Sequence, residues 1–237
     1  MRPSTRSRET GPVHADDRAP APEPASTPTA GWHDADQVDW YLDRVERLPP
    51  RLAGEAALLE MLPREARSVL DLGCGDGRLV SLVVDALPTV ARVVAVDRSP
   101  PMLDRARERF RADDRVEVRP WDLADDLSTL GEFDLIVSGF AIHHLDDGRK
   151  RSLINEVARQ LRPGGVFANL EIVASSTPML HAEFLARIGR TADDPEDRLV
   201  DVETQLIWMR DAGLAHVDCM WRWRGMALLV GRSASLP

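Results

Sequence analysis

An apolar run, Val69-Leu70-Asp71-Leu72, stops at three glycines within five residues, Gly73, Gly75 and Gly77, and helix-compatible sequence (Leu79, Leu82, Val83, Leu87) follows. The pattern is strand, tight turn, helix. Such a unit buries its apolar faces only by layering helices on a sheet, which directs the chain toward an α/β architecture. Glycine lets the backbone take positive φ and lets a ligand approach the main chain, while the N–H groups opening the next helix point at whatever sits there. The stretch predicts a nucleotide-type cofactor site gripped by backbone as much as by side chains.

The remaining sequence repeats the rhythm. Strands are predicted at 68–72, 92–96 (ending at Asp97), 116–119, 133–138 and 166–173, and helices at 77–87, 100–110 with Ser99 as N-cap, and 147–161. Two further β-like runs, 216–223 and 226–230, follow a helix at 202–212. Alternating strands and helices imply a doubly wound, mostly parallel seven-stranded sheet closed by an antiparallel C-terminal hairpin. Helical spacing at 34–47 and 52–62, separated by Pro49-Pro50, predicts an N-terminal helical layer over 32–66. Residues 175–199, with a helical piece at 179–188 and the acidic run Asp193-Asp194-Pro195-Glu196-Asp197, interrupt the rhythm as a candidate substrate cap. Residues 1–31 mix six prolines with Ser, Thr, Ala and charge and have almost no large apolar side chains, so a disordered tail is expected before a single domain at 32–237.

Composition excludes several classes. A net charge of -9 argues against a general nucleic-acid binder, whose nonspecific affinity comes from clustered Lys and Arg. The Arg-rich start lacks the apolar stretch of a secretory signal, and no run is long and apolar enough to span a bilayer. Cys74 and Cys219, the only cysteines, are too far apart in sequence for a zinc set or a disulfide framework, so a reducing cytoplasm is expected.

The glycine spacing then discriminates between cofactors. A dinucleotide fingerprint needs G-x-G-x-x-G, and its third glycine position falls here on Arg78. Asp71 stands two residues before the first glycine, and Asp97 ends strand two where an acidic residue meets ribose hydroxyls. Asp71 would repel a pyrophosphate and attract an amino group or a positive centre. A nicotinamide-dependent oxidoreductase is thereby disfavoured but kept as an alternative, along with a noncatalytic cofactor-binding protein acting through a partner.

With Val94-Ala95-Val96-Asp97, Ser99-Pro100-Pro101-Met102-Leu103, Phe133-Asp134-Leu135-Ile136-Val137 and Leu161-Arg162-Pro163-Gly164-Gly165 added to the glycine run, the chain resembles the S-adenosylmethionine-dependent methyltransferases of the class I, Rossmann-like kind over roughly 52–231. The resemblance implies S-adenosyl-L-methionine as cofactor, Gly73 and Gly75 under its methionine part, Asp71 near its amino group and Asp97 on both ribose hydroxyls. It also implies Met102 near the adenine and Asp122 with Leu123 at the adenine edge; Cys74, Arg98 and Ser138 adjoin these positions and complete the expected cofactor set.

Methyl transfer from a sulfonium is an in-line displacement, so orientation supplies much of the acceleration, and a base is needed only for a protonated acceptor. Beyond strand four, His143 or His144 is the candidate base; beyond strand five, Glu171 is a candidate for facing the acceptor. Trp32, Trp40 and Tyr41 are candidates for closing over the cofactor. Amide- and base-directed N-methyltransferases carry Asp/Asn-Pro-Pro-aromatic after strand four, whereas this chain has Ser138-Gly139-Phe140-Ala141. A small-molecule acceptor is expected, with O-, N- and C-methylation all open, no metal, and no indication of oligomeric state.

Overall fold

Strand β1 (Ser68–Leu72) is buried at all five positions, so both of its faces need cover. The computed structural model describes residues 32, 34, 35, 38, 39, 41, 42 and 48–234. The expected tail 1–31, most of the expected helix at 34–47 and Trp40 lie outside the described residues. The elements in order are α1 (Pro49–Glu60), β1, α2 (Arg78–Ala86), β2 (Arg92–Asp97), α3 (Pro100–Arg109), β3 (Val116–Pro120), β4 (Phe133–Gly139), α4 (Asp147–Gln160), β5 (Leu161–Ile172), α5 (Pro178–Arg187), α6 (Val202–Asp211), β6 (Ala215–Trp223) and β7 (Met226–Arg232).

The seven strands stand in the order β3-β2-β1-β4-β5-β7-β6. Strands β1 to β5 pair in parallel, and β7 runs antiparallel between β5 and β6. The expected doubly wound sheet with its antiparallel hairpin is therefore the observed one. Strand alternation sends Leu70, Leu72, Val94, Val96, Ile136 and Phe167 to one face, under α4 and α6. It sends Val69, Val93, Ala95, Leu135, Val137 and Ala168 to the other, under α1 and α2. Among the described residues no helix is long and apolar enough to cross a membrane.

Two boundaries differ from expectation for physical reasons. The helix expected from Leu52 begins at Pro49: both prolines open α1, where proline's missing N–H costs nothing. Strand β5 starts at Leu161, not Val166: Leu161 pairs with Phe133, and a register shift absorbs Arg162 to Gly165 before Val166 pairs with Leu135. A side chain at Gly165 would press on the carbonyl oxygens of Asp134 and Arg162, so the bulge demands glycine there.

The entrance to the parallel pair β1–β4 is pinned by one carboxylate. Asp134 Oδ2 accepts the N–H groups of Arg67 and Ser68 and the Ser68 hydroxyl, each at 2.9 Å. Burial alone would raise the Asp134 carboxyl, but these bonds and the nearby Arg162 hold it below its ordinary value. A depressed carboxyl stabilises the fold above its unfolded pKa and loses that contribution as pH falls through the folded one. Asp134→Ala should therefore cost about 1–3 kcal/mol in urea unfolding at pH 7, and the gap to the parent should close below about pH 4. A gap that persists unchanged at pH 2.5 contradicts this account.

Candidate active site

Strand order reverses between β1 and β4, and a cavity opens beyond their carboxyl ends, where open α/β sheets hold ligands. The glycine turn forms its floor. Gly73 and Cys74 donate their N–H groups to Val96 O at 2.8 and 2.9 Å, folding the turn back onto β2. Gly73 has φ +74°, and a Cβ there would overlap that of Ala141. Asp97 completes the clamp: Oδ2 accepts Gly75 N–H and Oδ1 accepts Ser99 N–H, both at 2.8 Å. Burial raises the Asp97 carboxyl, opposed by these two backbone bonds.

Asp71 is the anomaly. It is 1% exposed, it lines the cavity, and neither carboxylate oxygen has a hydrogen-bond partner among the described residues. Buried ionised groups are paired or shift their pKa, and burial, with the charges of Asp97 and Asp76, pushes Asp71 up to about 8. Asp76 is paired with Arg109, so Asp71 is the acid of the two left without a partner among the described residues.

Of the other expected cofactor residues, Gly73, Cys74, Gly75, Asp97, Arg98, Met102, Asp122 and Leu123 all line this cavity. Cys74 is buried, and burial raises its thiol well above the usual range. Asp122 Oδ1 accepts Ala124 N–H at 2.9 Å, a local turn bond. Ser138 is different: it is fully buried, donates to Leu72 O at 2.8 Å and does not line the cavity, because residues alternate along β4 and its hydroxyl falls between strands.

The two histidines part company. Both belong to a 3-10 turn, Ile142–His144. His144 lines the cavity, whereas His143 does not. His143 Nδ1 lies 2.5 Å from Glu171 Oε1, and His143 N–H donates to Glu171 Oε2 at 3.0 Å. Glu171 Oε1 also accepts Ile172 N–H at 2.8 Å. Glu171 is 1% exposed and absent from the cavity wall, so it braces His143 instead of facing an acceptor as expected. On the far side, His143 Nε2 lies 3.3 Å from Asp197 Oδ1. Burial lowers His143, but Glu171 and Asp197 more than offset it and push it up to about 9. Burial and the neighbouring His143 charge lower His144.

The acidic segment reaches the site differently from a cap over the opening. None of the described residues 175–199 lines the cavity. The segment is tied at its rim: Arg98 Nη2–Glu196 Oε2 at 2.6 Å, Arg198 N–H to His143 O at 2.9 Å, and Lys150 Nζ to Arg198 O. The opposite wall holds residues that the sequence did not single out. Glu55 is buried between Arg51 (2.9 Å) and Arg78 (2.7 Å), and the Arg51 guanidinium stacks 5.1 Å above the Phe140 ring and donates to Tyr41 OH at 3.1 Å. The only prior signal was the i, i+4 spacing of Arg51 and Glu55. Arg78, the residue that broke the dinucleotide pattern, is the one that holds Glu55. Trp32 and Tyr41 line the cavity with rings edge-on at 5.0 Å.

Comparison with known proteins fits this geometry. Residues 69–165 match a family described as a methyltransferase domain. An uncharacterized methyltransferase of Mycobacterium bovis is 36% identical over 126 residues, 52% of this chain and 59% of the relative. The chain thus spans about six-tenths of the length of that curated relative. An O-methyltransferase family protein from Burkholderia thailandensis superposes with TM-score 0.67 at 26% identity, covering 86% of this chain and 62% of that one. Human N-acetylserotonin methyltransferase in complex with S-adenosylmethionine shares the fold, with TM-score 0.64 at 15% identity over 86% of this chain and 58% of its own.

The lone carboxylate has a measurable signature in the chain by itself. With a folded pKa near 8 and an unfolded one near about 3.9, Asp71 keeps a proton on folding that the unfolded chain has released. Its share of stability is complete below about pH 4 and declines as pH rises to 8. Asp71→Asn should remove this slope, making the variant more stable than the parent at pH 8 in urea unfolding. Parallel pH profiles for the two proteins contradict the assignment.

Proposed function

We propose that this chain, a class I, Rossmann-like S-adenosylmethionine-dependent methyltransferase by fold and family, moves a methyl group from S-adenosylmethionine to a small-molecule acceptor in the cavity beyond β1 and β4. The observation that carries this is Asp71. A buried carboxylate with two unused oxygens, over a glycine turn that lets a ligand reach the backbone, fits a cofactor with a cationic amino group and no pyrophosphate. The nicotinamide alternative brings a pyrophosphate to the glycine turn, which a carboxylate there would repel.

On this reading Asp71 holds the amino group and Asp97 the ribose hydroxyls. Asp97 oxygens each keep a lone pair beyond the backbone bonds they accept. Met102 and Leu123 supply apolar cover, and Asp122 offers a polar edge, for the adenine. When bound, the cofactor supplies an electrophilic methyl on a positively charged sulfur. The residues of the chain then have to orient the acceptor and exclude water; orientation is worth up to about 7–11 kcal/mol in well-aligned systems. Trp32, Tyr41, Phe140 and Leu145 give the acceptor side an apolar wall. For an acceptor that arrives protonated, the base falls to His144, which stands in the cavity wall, while His143 holds the turn through Glu171 and Asp197.

A small acceptor is favoured by a half-open, partly apolar site in a chain of net charge -9. A cytoplasmic setting accords with the two unpaired cysteines. Isothermal titration with S-adenosylmethionine and its demethylated product should give one site per chain; absence of heat with both defeats the proposal. Asp97→Ala should lose about 1–3 kcal/mol of that affinity. Once an acceptor is found, His144→Ala should lower turnover by about 10²–10⁴-fold for a protonated acceptor, with cofactor affinity read in parallel. Full turnover in His144→Ala removes the base.

A further inference from the structure

Where the acidic segment meets the turn after β4, three donor atoms converge. His143 Nε2 and His144 Nδ1 lie 3.3 and 3.6 Å from the same oxygen, Asp197 Oδ1, and the three atoms are all within 4.8 Å of one another. Each partner is oriented from behind. His143 is held through Nδ1 by Glu171, itself fixed by two backbone N–H groups. Asp197 Oδ2 accepts Asp194 N–H at 3.1 Å, leaving Oδ1 turned to the imidazoles. A carboxylate on the rear nitrogen of a histidine is the arrangement that fixes the tautomer of metal-ligating histidines and sets their direction.

An ion pair between His143 and its two carboxylates accounts for part of this cluster, but not for His144. Its Nδ1 is buried with no hydrogen-bond partner among the described residues, and 3.6 Å from Asp197 is too long for one. A cation held at about 2.0–2.2 Å by nitrogen and carboxylate donors puts those donors about 3.0–3.6 Å apart. The two measured separations fall in that interval, and one ion would serve the orphaned nitrogen and both of its neighbours at once.

We propose that His143 Nε2, His144 Nδ1 and Asp197 Oδ1 form a binding site for one divalent first-row transition cation, of the zinc or cobalt kind, behind the cavity wall at His144. Two imidazoles and one carboxylate suit these ions and not the hard cations magnesium and calcium, which take oxygen. Of the three ligands only His144 borders the cavity. An ion on its Nδ1 leaves the proton on Nε2, so His144 serves as a base only in the ion-free chain, and the site is tested without methyl transfer.

Chelator-treated full chain is titrated calorimetrically with zinc chloride, and cobalt(II) is added separately while visible absorption is recorded. One zinc per chain is expected, with cobalt bands of a four- or five-coordinate centre in place of the weak band of the hydrated ion. Asp197→Asn and His144→Gln should each weaken zinc by tenfold or more, and Glu171→Gln, which spares every ligand, by about 10–100-fold. His181→Gln is the control, since His181 forms its own pair with Asp193 at 2.9 Å away from this cluster. No saturable one-to-one uptake, a hydrated-ion cobalt spectrum, or loss of zinc in His181→Gln with full retention in Asp197→Asn overturns the site. The cobalt spectrum of the parent decides the matter even where a variant fails to fold.

Discussion

A carboxylate that is buried, unpaired and wedged between two other acids raises the energy of the folded chain, and Asp71 sits in that condition at the centre of the sheet. The surrounding architecture fixes it there. Strand β1 is covered on both faces and cannot turn the side chain out to water, and the glycine turn, tied to Val96 and Asp97, closes the end of the strand above it. The fold thus holds a protonated acid in the cavity, poised to give up its proton and become the counter-charge of a cationic ligand. Preorganisation of this kind makes a cationic ligand's charge count for far more than it would in water.

The floor of the candidate site was legible in the sequence because that part of the cavity is local. Asp71, Gly73 and Gly75 are one strand-to-turn segment, and Asp97 ends the neighbouring strand, so period and turn chemistry fix their arrangement without knowledge of the rest. Ser138 falls outside the cavity wall because only the pleat decides which way its hydroxyl points. Glu171 falls outside it for another reason: its partner is the backbone and ring of His143, 28 positions earlier, and strand-end carboxylates look alike until that pairing is seen. The different fates of His143 and His144 depend on where Asp197 lands, some fifty residues later. The start of β5 was missed because a bulge hides pairing behind a Pro-Gly-Gly run that otherwise reads as a turn.

The same division separates donor from acceptor. The floor of the cavity is made by consecutive strand ends, in a fold that the O-methyltransferase family protein and N-acetylserotonin methyltransferase share at 26% and 15% identity. Its opposite wall is assembled from α1, the turn after β4 and Trp32, elements that meet only in the folded chain. Likeness of fold therefore reaches the floor and stops short of the wall.

Phe140 carries a left-handed backbone, φ 57°, at a residue that is not glycine. Such a conformation costs on the order of 1–3 kcal/mol and persists only when its surroundings hold it. Here Phe140 N–H is bound to Leu170 O, and the Arg51 guanidinium from α1 covers the ring. Helix α1 is thus mechanically upstream of the histidine turn: a change in α1 that uncovers the Phe140 ring releases a strained hinge and re-aims this wall, while the glycine floor stays as it is.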